Sequence, residues 1–121
     1  MYKRHEIGRI GEDLATEFLE NKGYEIIKKN FECKQGEIDI IAKDKNEYVF
    51  IEVKTRTNGY YGKPVDAVDK IKRKHIYKST EYYVFKNNLE NEFIRIDVIQ
   101  IFIRKNKVYI NHIKQAIQEL N

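Results

Sequence analysis

Residues 5–22 place apolar side chains at every third or fourth position, which predicts an amphipathic helix. These side chains are Ile7, Ile10, Leu14, Phe18 and Leu19. Gly23 follows and provides a helix stop. Gly8 and Gly11 lie on or beside the apolar face, although a glycine inside a helix costs about 1 kcal/mol relative to alanine. We therefore expect the backbone of this helix to pass close to a sheet.

Three runs rich in β-branched and aromatic residues follow, and each predicts a short strand. They span residues 24–31, 36–43 and 47–56. Residues 57–64, TNGYYGKP, predict a loop. The next helix is predicted to run from about Pro64 to Phe85, because proline suits a first helical turn.

The last third of the chain predicts a second hairpin and a closing helix. The hairpin strands are 93–103 and 107–113, and the helix covers 114–120. The resulting order, α-β-β-β-α-β-β, is typical of an α/β fold in which helices flank a mixed five-stranded sheet. At 121 residues the chain is long enough for one core and too short for two, so we expect residues 1–121 to form one domain.

Composition narrows the function classes only slightly. Lys and Arg outnumber Asp and Glu by 23 to 19, giving a net charge of +4, which fits a nucleic-acid partner but also many other proteins. The single cysteine, Cys33, excludes an internal disulfide and a thiolate zinc cluster. No segment has the apolar length of a signal peptide or a membrane span, so we expect a cytoplasmic protein without a membrane partner.

Charged residues interrupt two of the predicted strands at positions two apart. Such residues face the same side of a strand, so Glu52 and Lys54 share one face, as do Glu37 and Asp39. A short turn around residues 44–47 would place positions whose numbers sum to 91 opposite each other. Asp39 would then lie across from Glu52, and Glu37 across from Lys54.

Two carboxylates at opposed strand positions have β-carbons about 4.5–5.5 Å apart and repel each other, unless a divalent cation lies between them. Mg²⁺ binds few protein carboxylates and takes its other ligands from water and phosphate oxygens, and a nearby lysine can position the attacking water. Asp39, Glu52 and Lys54 therefore predict metal-assisted hydrolysis of phosphodiesters. Alternating charges are also typical of a solvated strand face, and these residues alone leave that interpretation open.

Glu12 is a third acid in the same region of the predicted fold. At about 100° per residue, it borders the edge of the first helix that carries Gly8, Ala15 and Leu19, so it is placed to extend the site. An ordinary exposed glutamate near a helix start, where the helix dipole favours a negative charge, explains it equally well.

These motifs together resemble the YraN family of uncharacterised bacterial proteins, which belongs to the PD-(D/E)xK nuclease superfamily and is related to archaeal Holliday-junction resolvases. The similarity extends over nearly the whole chain and is far more specific than any single motif. Its segments are GRIGEDLA (8–15), GEIDIIA (36–42), FIEVKTR (50–56), YGKPVDAVDKIKRKHI (61–76) and RIDV (95–98).

The resemblance implies a restriction-endonuclease-like core in which Asp39, Glu52 and Lys54 are catalytic and Glu12 is an accessory acid. We expect Asp39, Glu52 and Val53 to hold the metal, Mg²⁺ or Mn²⁺. The family has no firmly assigned biological role, so the resemblance implies fold and chemistry rather than purpose.

The second predicted helix carries a cluster of basic residues that suits a phosphate backbone. Lys70, Arg73 and Lys74 are spaced to lie along one side of it. A charged, solvated helix shows the same pattern. The residues expected to bind nucleic acid are Arg56, Lys70, Lys72, Arg73 and Lys74.

The sequence indicates the roles of two further sets of residues less specifically. Tyr60 and Tyr61 in the predicted loop either flank a nucleic acid or pack on the domain. Asp97, in the RIDV motif, is interpreted as a structural residue that pairs with a basic side chain.

The leading hypothesis is a Mg²⁺- or Mn²⁺-dependent endonuclease that acts on branched or damaged DNA in recombination or repair. The alternative is a non-catalytic nucleic-acid-binding module that keeps the nuclease fold, and a weaker third is a protein-interaction domain that uses exposed tyrosines. RNA stays open as a substrate, because the catalytic residues do not distinguish the sugar. By analogy with resolvases we also expect a homodimer, whose two-fold symmetry would match two active sites to two strands.

Overall fold

A five-stranded sheet lies between two helices in the computed structural model, which describes residues 3–57 and 69–118. The helices are α1 (Arg4–Asn21) and α2 (Lys70–Lys86), and the strands are β1 (Glu25–Cys33), β2 (Gly36–Asp44), β3 (Glu47–Arg56), β4 (Phe93–Arg104) and β5 (Lys107–Ile117). This order confirms the predicted fold class. Within the described ranges, neither helix is long and apolar enough to cross a membrane.

The strands lie side by side in chain order, from β1 to β5. β3 and β4 are parallel, whereas the other neighbouring strands are antiparallel. A parallel pair requires a crossover connection, and α2 lies in that connection. The sheet is therefore mixed, as predicted.

The two faces of the sheet bury separate apolar clusters. Leu19 of α1 packs with Ile40 on one face, and Ile76 of α2 packs with Ile41 on the other. Consecutive residues of β2 thus face opposite helices, which is why this strand has a continuous apolar run. Burial on both faces fixes the strand register, because a slip by one residue would exchange the two clusters.

The second helix begins at Lys70 rather than near Pro64. The backbone of Asp69 is extended, and its Oδ1 accepts a hydrogen bond from the N–H of Lys72 at 2.7 Å. Asp69 is therefore the N-cap residue, which the prediction overlooked. Pro64 itself lies outside the described residues, as do the loop tyrosines of the predicted 57–64 segment.

The helix predicted over 114–120 is wrong for the residues that the structure describes, because β5 continues to Ile117. Ile113 and Ile117 pack together against the cluster on the α2 side. A spacing of four residues fits one face of a helix and one face of a strand alike. A positive φ of 51° at Gln115 accompanies the irregular pairing that lets β5 continue.

α1 crosses β3 at Gly11, where there is no room for a side chain. A Cβ placed there would lie 1.8 Å from Oγ1 of Thr55 and 2.9 Å from its Cβ, which is a steric overlap. A Cβ at Gly8 would meet nothing within 4 Å among the described residues. The predicted close approach of the helix backbone is therefore confirmed at Gly11 and does not apply at Gly8.

Gly11→Ala should lower the free energy of unfolding by about 1–3 kcal/mol, because the new methyl group overpacks the contact with Thr55. Gly8→Ala is the matched control. It should leave stability unchanged or raise it by up to about 1 kcal/mol, because alanine is the better helix former. Urea denaturation followed by circular dichroism measures both, and equal stabilities for the two variants would contradict the close contact.

Arg95 of β4 lies in a buried ionic network. Its guanidinium forms ion pairs with Asp97 at 3.2 Å and, at the β2–β3 turn, with Asp44 at 3.3 Å and Glu47 at 2.9 Å. It also donates a hydrogen bond to the hydroxyl of Tyr24. Asp97 is completely buried, which confirms that it pairs with a basic side chain as a structural residue. The network fastens the β2–β3 hairpin to β4.

Arg95→Met should lower the free energy of unfolding by about 1–3 kcal/mol, because it removes the guanidinium from the buried Asp97 carboxylate, which keeps His112 at 2.7 Å and the N–H of Gln115 at 3.0 Å. Glu47→Gln is the control at the solvent-exposed end of the network, where the glutamate side chain is 41% exposed, and it should cost less than about 1 kcal/mol. Chemical denaturation measures both. A loss for Arg95→Met no greater than that of the control would show that the network is not important for stability.

Candidate active site

β2 and β3 pair in the predicted register near their turn. Every pair of the ladder joins positions whose numbers sum to 91, and the last pair is Ile40 with Ile51. The ladder ends there. It does not reach Glu37, whose ladder partner is Glu32 on the other edge of β2, so the prediction that Glu37 lies opposite Lys54 is wrong.

Beyond the end of this ladder, Asp39 contacts β3 through its side chain. Its Oδ2 accepts a hydrogen bond from the main-chain N–H of Val53 at 2.8 Å. The carboxyl groups of Asp39 and Glu52 also lie close enough together for each to shift the pKa of the other. The structure therefore brings together the two acids that the register placed side by side.

Glu52 is almost fully buried, with 3% of its surface exposed. Its Oε1 lies 3.6 Å from Nζ of Lys72 and 3.9 Å from Nζ of Lys54. Its Oε2 is buried and accepts no hydrogen bond from a donor within residues 3–57 and 69–118. A buried carboxylate oxygen without a donor is costly, so the site favours either a proton shared with Asp39 or a cation.

The pKa values of Glu52 and Asp39 also show that the buried site disfavours two ionised carboxylates. Burial, followed by the neighbouring charge of Asp39, raises the pKa of Glu52 to about 8, and the ammonium groups of Lys72 and Lys54 offset the shift only in part. Burial also raises the pKa of Asp39, although the hydrogen bond from Val53 lowers it. Two carboxyl groups in contact do not ionise together easily, so they retain a proton. A cation bound between them would displace that proton.

Glu12 faces the pair from α1. It is half-buried, and burial together with the charge of Asp39 raises its pKa to about 7, while Lys29 and a hydrogen bond with the side chain of Asn30 lower it. Glu12 is therefore not an ordinary exposed glutamate. In the part of the chain that the structure describes, however, no three acidic, histidine or cysteine side chains are placed to hold one metal ion. The described link between Glu12 and the pair is the charge of Asp39, which raises the pKa of Glu12.

A cavity of about 440 Å³ opens over these groups, between α1 and the ends of β2 and β3. The predicted site residues that line it are Glu12, Asp39, Glu52, Val53, Lys54 and Arg56. The predicted catalytic residues thus all reach one cavity, and an arginine lies at its wall.

The basic residues of α2 divide between this site and the surface. Lys70 and Lys74 are exposed and form a basic outer side of the helix. Lys72 instead reaches inward to Glu52. Arg73 is half-buried, and its Nε has no hydrogen-bond partner among the described residues. The residues expected to bind nucleic acid therefore do not share one surface.

Two contacts of the site were missed in the sequence. The pair formed by Lys72 and Glu52 joins α2 to β3, and nothing in their spacing indicates it. Asn30, which binds Glu12, has a φ of 55° in the left-handed region that asparagine tolerates better than most residues. An asparagine inside a predicted strand was the available signal for this irregularity.

A five-stranded mixed sheet flanked by two helices, in the order α-β-β-β-α-β-β, defines the chain as an α/β protein. Two buried carboxyl groups lie beside a lysine where one hairpin of that sheet ends. Residues 11–101 match the model of "Uncharacterised protein family UPF0102". A UPF0102 protein from Clostridium botulinum strain 657 is 47% identical over 120 residues, covering 97% of this chain and 98% of the relative. Another, from Caldicellulosiruptor saccharolyticus, is 44% identical over 115 residues, covering 93% and 98%. The chain therefore belongs to the UPF0102 family, the family of uncharacterised proteins that its motifs indicated.

The raised pKa of Glu52 makes the stability of the metal-free protein depend on pH. Because this pKa is above its unfolded value, the folded protein binds more protons, and the stabilisation present below pH 4.5 is lost as the pH rises through about 8. Glu52→Gln removes this titration. In EDTA the variant should gain more than about 1 kcal/mol relative to the wild type between pH 5 and pH 8.5, measured by urea denaturation.

Glu20→Gln replaces an exposed glutamate of α1 and is the control for this measurement. Its stability should follow that of the wild type at both pH values. If the free energy of unfolding of Glu52→Gln also changes between pH 5 and pH 8.5 by the same amount as that of the wild type, the Glu52 carboxyl does not have the raised pKa.

Proposed function

We propose that this protein is a divalent-cation-dependent endonuclease that hydrolyses phosphodiester bonds in nucleic acid, with DNA as the preferred substrate. One observation carries the proposal: Glu52 is buried against a second carboxyl group, that of Asp39, and keeps one oxygen that no described donor satisfies. Such an arrangement lowers stability. Perturbed, paired carboxyl groups in a cavity are typical of sites that bind a cation and perform chemistry.

The donor set fits Mg²⁺ or Mn²⁺. Carboxylate oxygens without thiolate or imidazole suit these hard cations, and Mg²⁺ is usually held by one or two carboxylates, with water and substrate phosphate as further ligands. Asp39 and Glu52 would hold the cation, with the main chain of Val53 beside them. When bound, the cation supplies positive charge that stabilises the negative charge developing on the phosphate.

The chain's own residues provide the remaining steps. Lys54, beside Glu52, orients the attacking water and offsets phosphate charge. Glu12 lines the same cavity, and its pKa of about 7 suits a group that accepts the proton of that water near neutral pH. The water oxygen forms a new bond to phosphorus as the bond to the leaving oxygen breaks, and the leaving oxygen takes up a proton from solvent water, which yields a phosphomonoester and a hydroxyl end.

The basic residues would bind the phosphate backbone of the substrate. Arg56 lies at the cavity wall, and Lys70 and Lys74 are exposed on α2, where they would contact backbone phosphates. Phosphate contacts position a nucleic acid without reading its bases, so we propose selection by structure, as in branched or damaged DNA during recombination or repair. A homodimer would present two such cavities to the two strands of a symmetric junction.

A non-catalytic nucleic-acid-binding module is the second candidate. It is favoured by the exposed Lys70 and Lys74 of α2, which would contact a nucleic acid whether or not the carboxyl pair is catalytic. Such a module would keep the fold and the basic surface without hydrolysing its ligand.

With Mg²⁺ or Mn²⁺, the purified protein should cleave at least one of forked, four-way, single-stranded or linear DNA. Asp39→Asn, Glu52→Gln and Lys54→Met should each reduce the cleavage rate about 100-fold or more, because each removes a group that the transition state requires. Cleavage of labelled substrates on denaturing gels measures the rates, with matching RNA substrates in parallel.

Asp13→Asn is the matched control for these variants. Asp13 is an exposed neighbour of Glu12 that pairs with Lys29 at 3.0 Å, so its loss should leave the cleavage rate within about twofold of the wild type. Absence of cation-dependent cleavage, combined with DNA binding that survives Glu52→Ala, would refute the nuclease and support the binding module.

A further inference from the structure

The ion pair between Lys72 and Glu52 connects α2 to the site. Nζ of Lys72 lies 3.6 Å from Oε1 of Glu52, closer than Nζ of Lys54 at 3.9 Å. Lys54 follows Glu52 on the same strand, so its proximity is a consequence of strand geometry. Lys72 has no such constraint, and its placement depends on how α2 packs on the sheet.

The start of α2 holds Lys72 at the border between the cavity and the surface. Its main-chain N–H donates to the N-cap residue Asp69 at 2.7 Å, which sets the position of the first helical turn. Lys70 and Lys74, on either side of it, are exposed. One helix therefore contacts both the buried carboxyl pair and the surface proposed for nucleic acid.

The environment of Lys72 changes if a divalent cation occupies the site. Without the cation, the ammonium group offsets the charge of a nearly buried carboxylate. With it, two positive charges would compete for the same oxygen and repel each other. The Lys72 side chain is 37% exposed and has a flexible four-carbon stem, so it can move away, and the phosphate that accompanies the cation offers it a new partner.

We propose that Lys72 is an exchangeable counterion, which pairs with Glu52 while the site lacks a divalent cation and transfers to a backbone phosphate when a cation binds. The inference rests on the proposed function for the nature of its ligand. Lys72 is a positioning residue in this scheme. Its consequence is that cation and nucleic acid bind with positive coupling, and the coupling is reciprocal.

The exchange can be tested without a metal at pH 9, above the pKa of about 8 of Glu52, because Glu52→Gln then removes the charge that retains Lys72. In EDTA, a short fluorescein-labelled DNA duplex should bind Glu52→Gln about 5-fold or more tightly than the wild type. Lys72→Met alone should change the affinity for DNA little, because Lys72 is paired with Glu52 in the wild type. When Glu52→Gln is combined with Lys72→Met, most of the gain in affinity should disappear. When it is combined with Lys72→Arg, which keeps the charge, the gain should remain. Fluorescence anisotropy measures each affinity.

Lys74→Met is the matched control, because it removes the same charge from an exposed position of the same helix. It should weaken DNA binding to the same extent in EDTA and in Ca²⁺, and it should leave the gain from Glu52→Gln intact. Lys72→Met, by contrast, should weaken binding about 5-fold or more once Ca²⁺ replaces EDTA.

The possible results separate this inference from the proposed function. An equal gain from Glu52→Gln with and without Lys72→Met would overturn the exchange and leave the cleavage assay unaffected. A gain that requires Lys72, without cleavage by the wild type, would refute the nuclease and retain the exchange. Absence of DNA binding by the wild type and by Glu52→Gln, in EDTA and in Ca²⁺, would overturn the exchange because its acceptor phosphate would be missing.

Discussion

The contact between two carboxyl groups, those of Asp39 and Glu52, is the constraint around which the site is organised. Buried carboxyl groups of like charge repel, and they stay together only where the surrounding structure holds them. The N–H of Val53 holds Asp39 by hydrogen bonding. Glu52 is held because its strand, β3, is buried on both faces, so that the chain on either side of it has no freedom to turn it outward.

Three elements of the fold place charged side chains around this contact. The close crossing of α1 at Gly11 brings Glu12 to the cavity, β3 itself supplies Lys54, and α2 supplies Lys72. The Arg95 network on the opposite part of the hairpin holds the β2–β3 turn. A destabilising contact is thus supported by a stable scaffold, as is common where a site conflicts with stability.

Most of the fold could be predicted from local pattern, and the two errors have physical causes. Hydrophobic spacing identified α1, and runs of β-branched and aromatic residues identified the five strands. The second helix was predicted from Pro64 rather than from an apolar face. The start of α2 was misplaced because Pro64 suits a helix start, whereas Asp69 provides the side-chain cap. The end of β5 was misassigned because a spacing of four residues between Ile113 and Ile117 suits a helix and a strand equally.

For the site, the sequence by itself determined the hairpin register, and with it the meeting of Asp39 and Glu52 beside Lys54, because strand periodicity and a short turn are local properties. Only the tertiary structure decided that Lys72 faces inward to Glu52 while Lys70 and Lys74 face outward. It likewise decided that the β2–β3 ladder ends at Ile40 and Ile51, so that Glu37 and Lys54 are not paired. These outcomes depend on how elements distant in sequence pack against one another, and residue spacing along a single helix or strand carries no information about that packing.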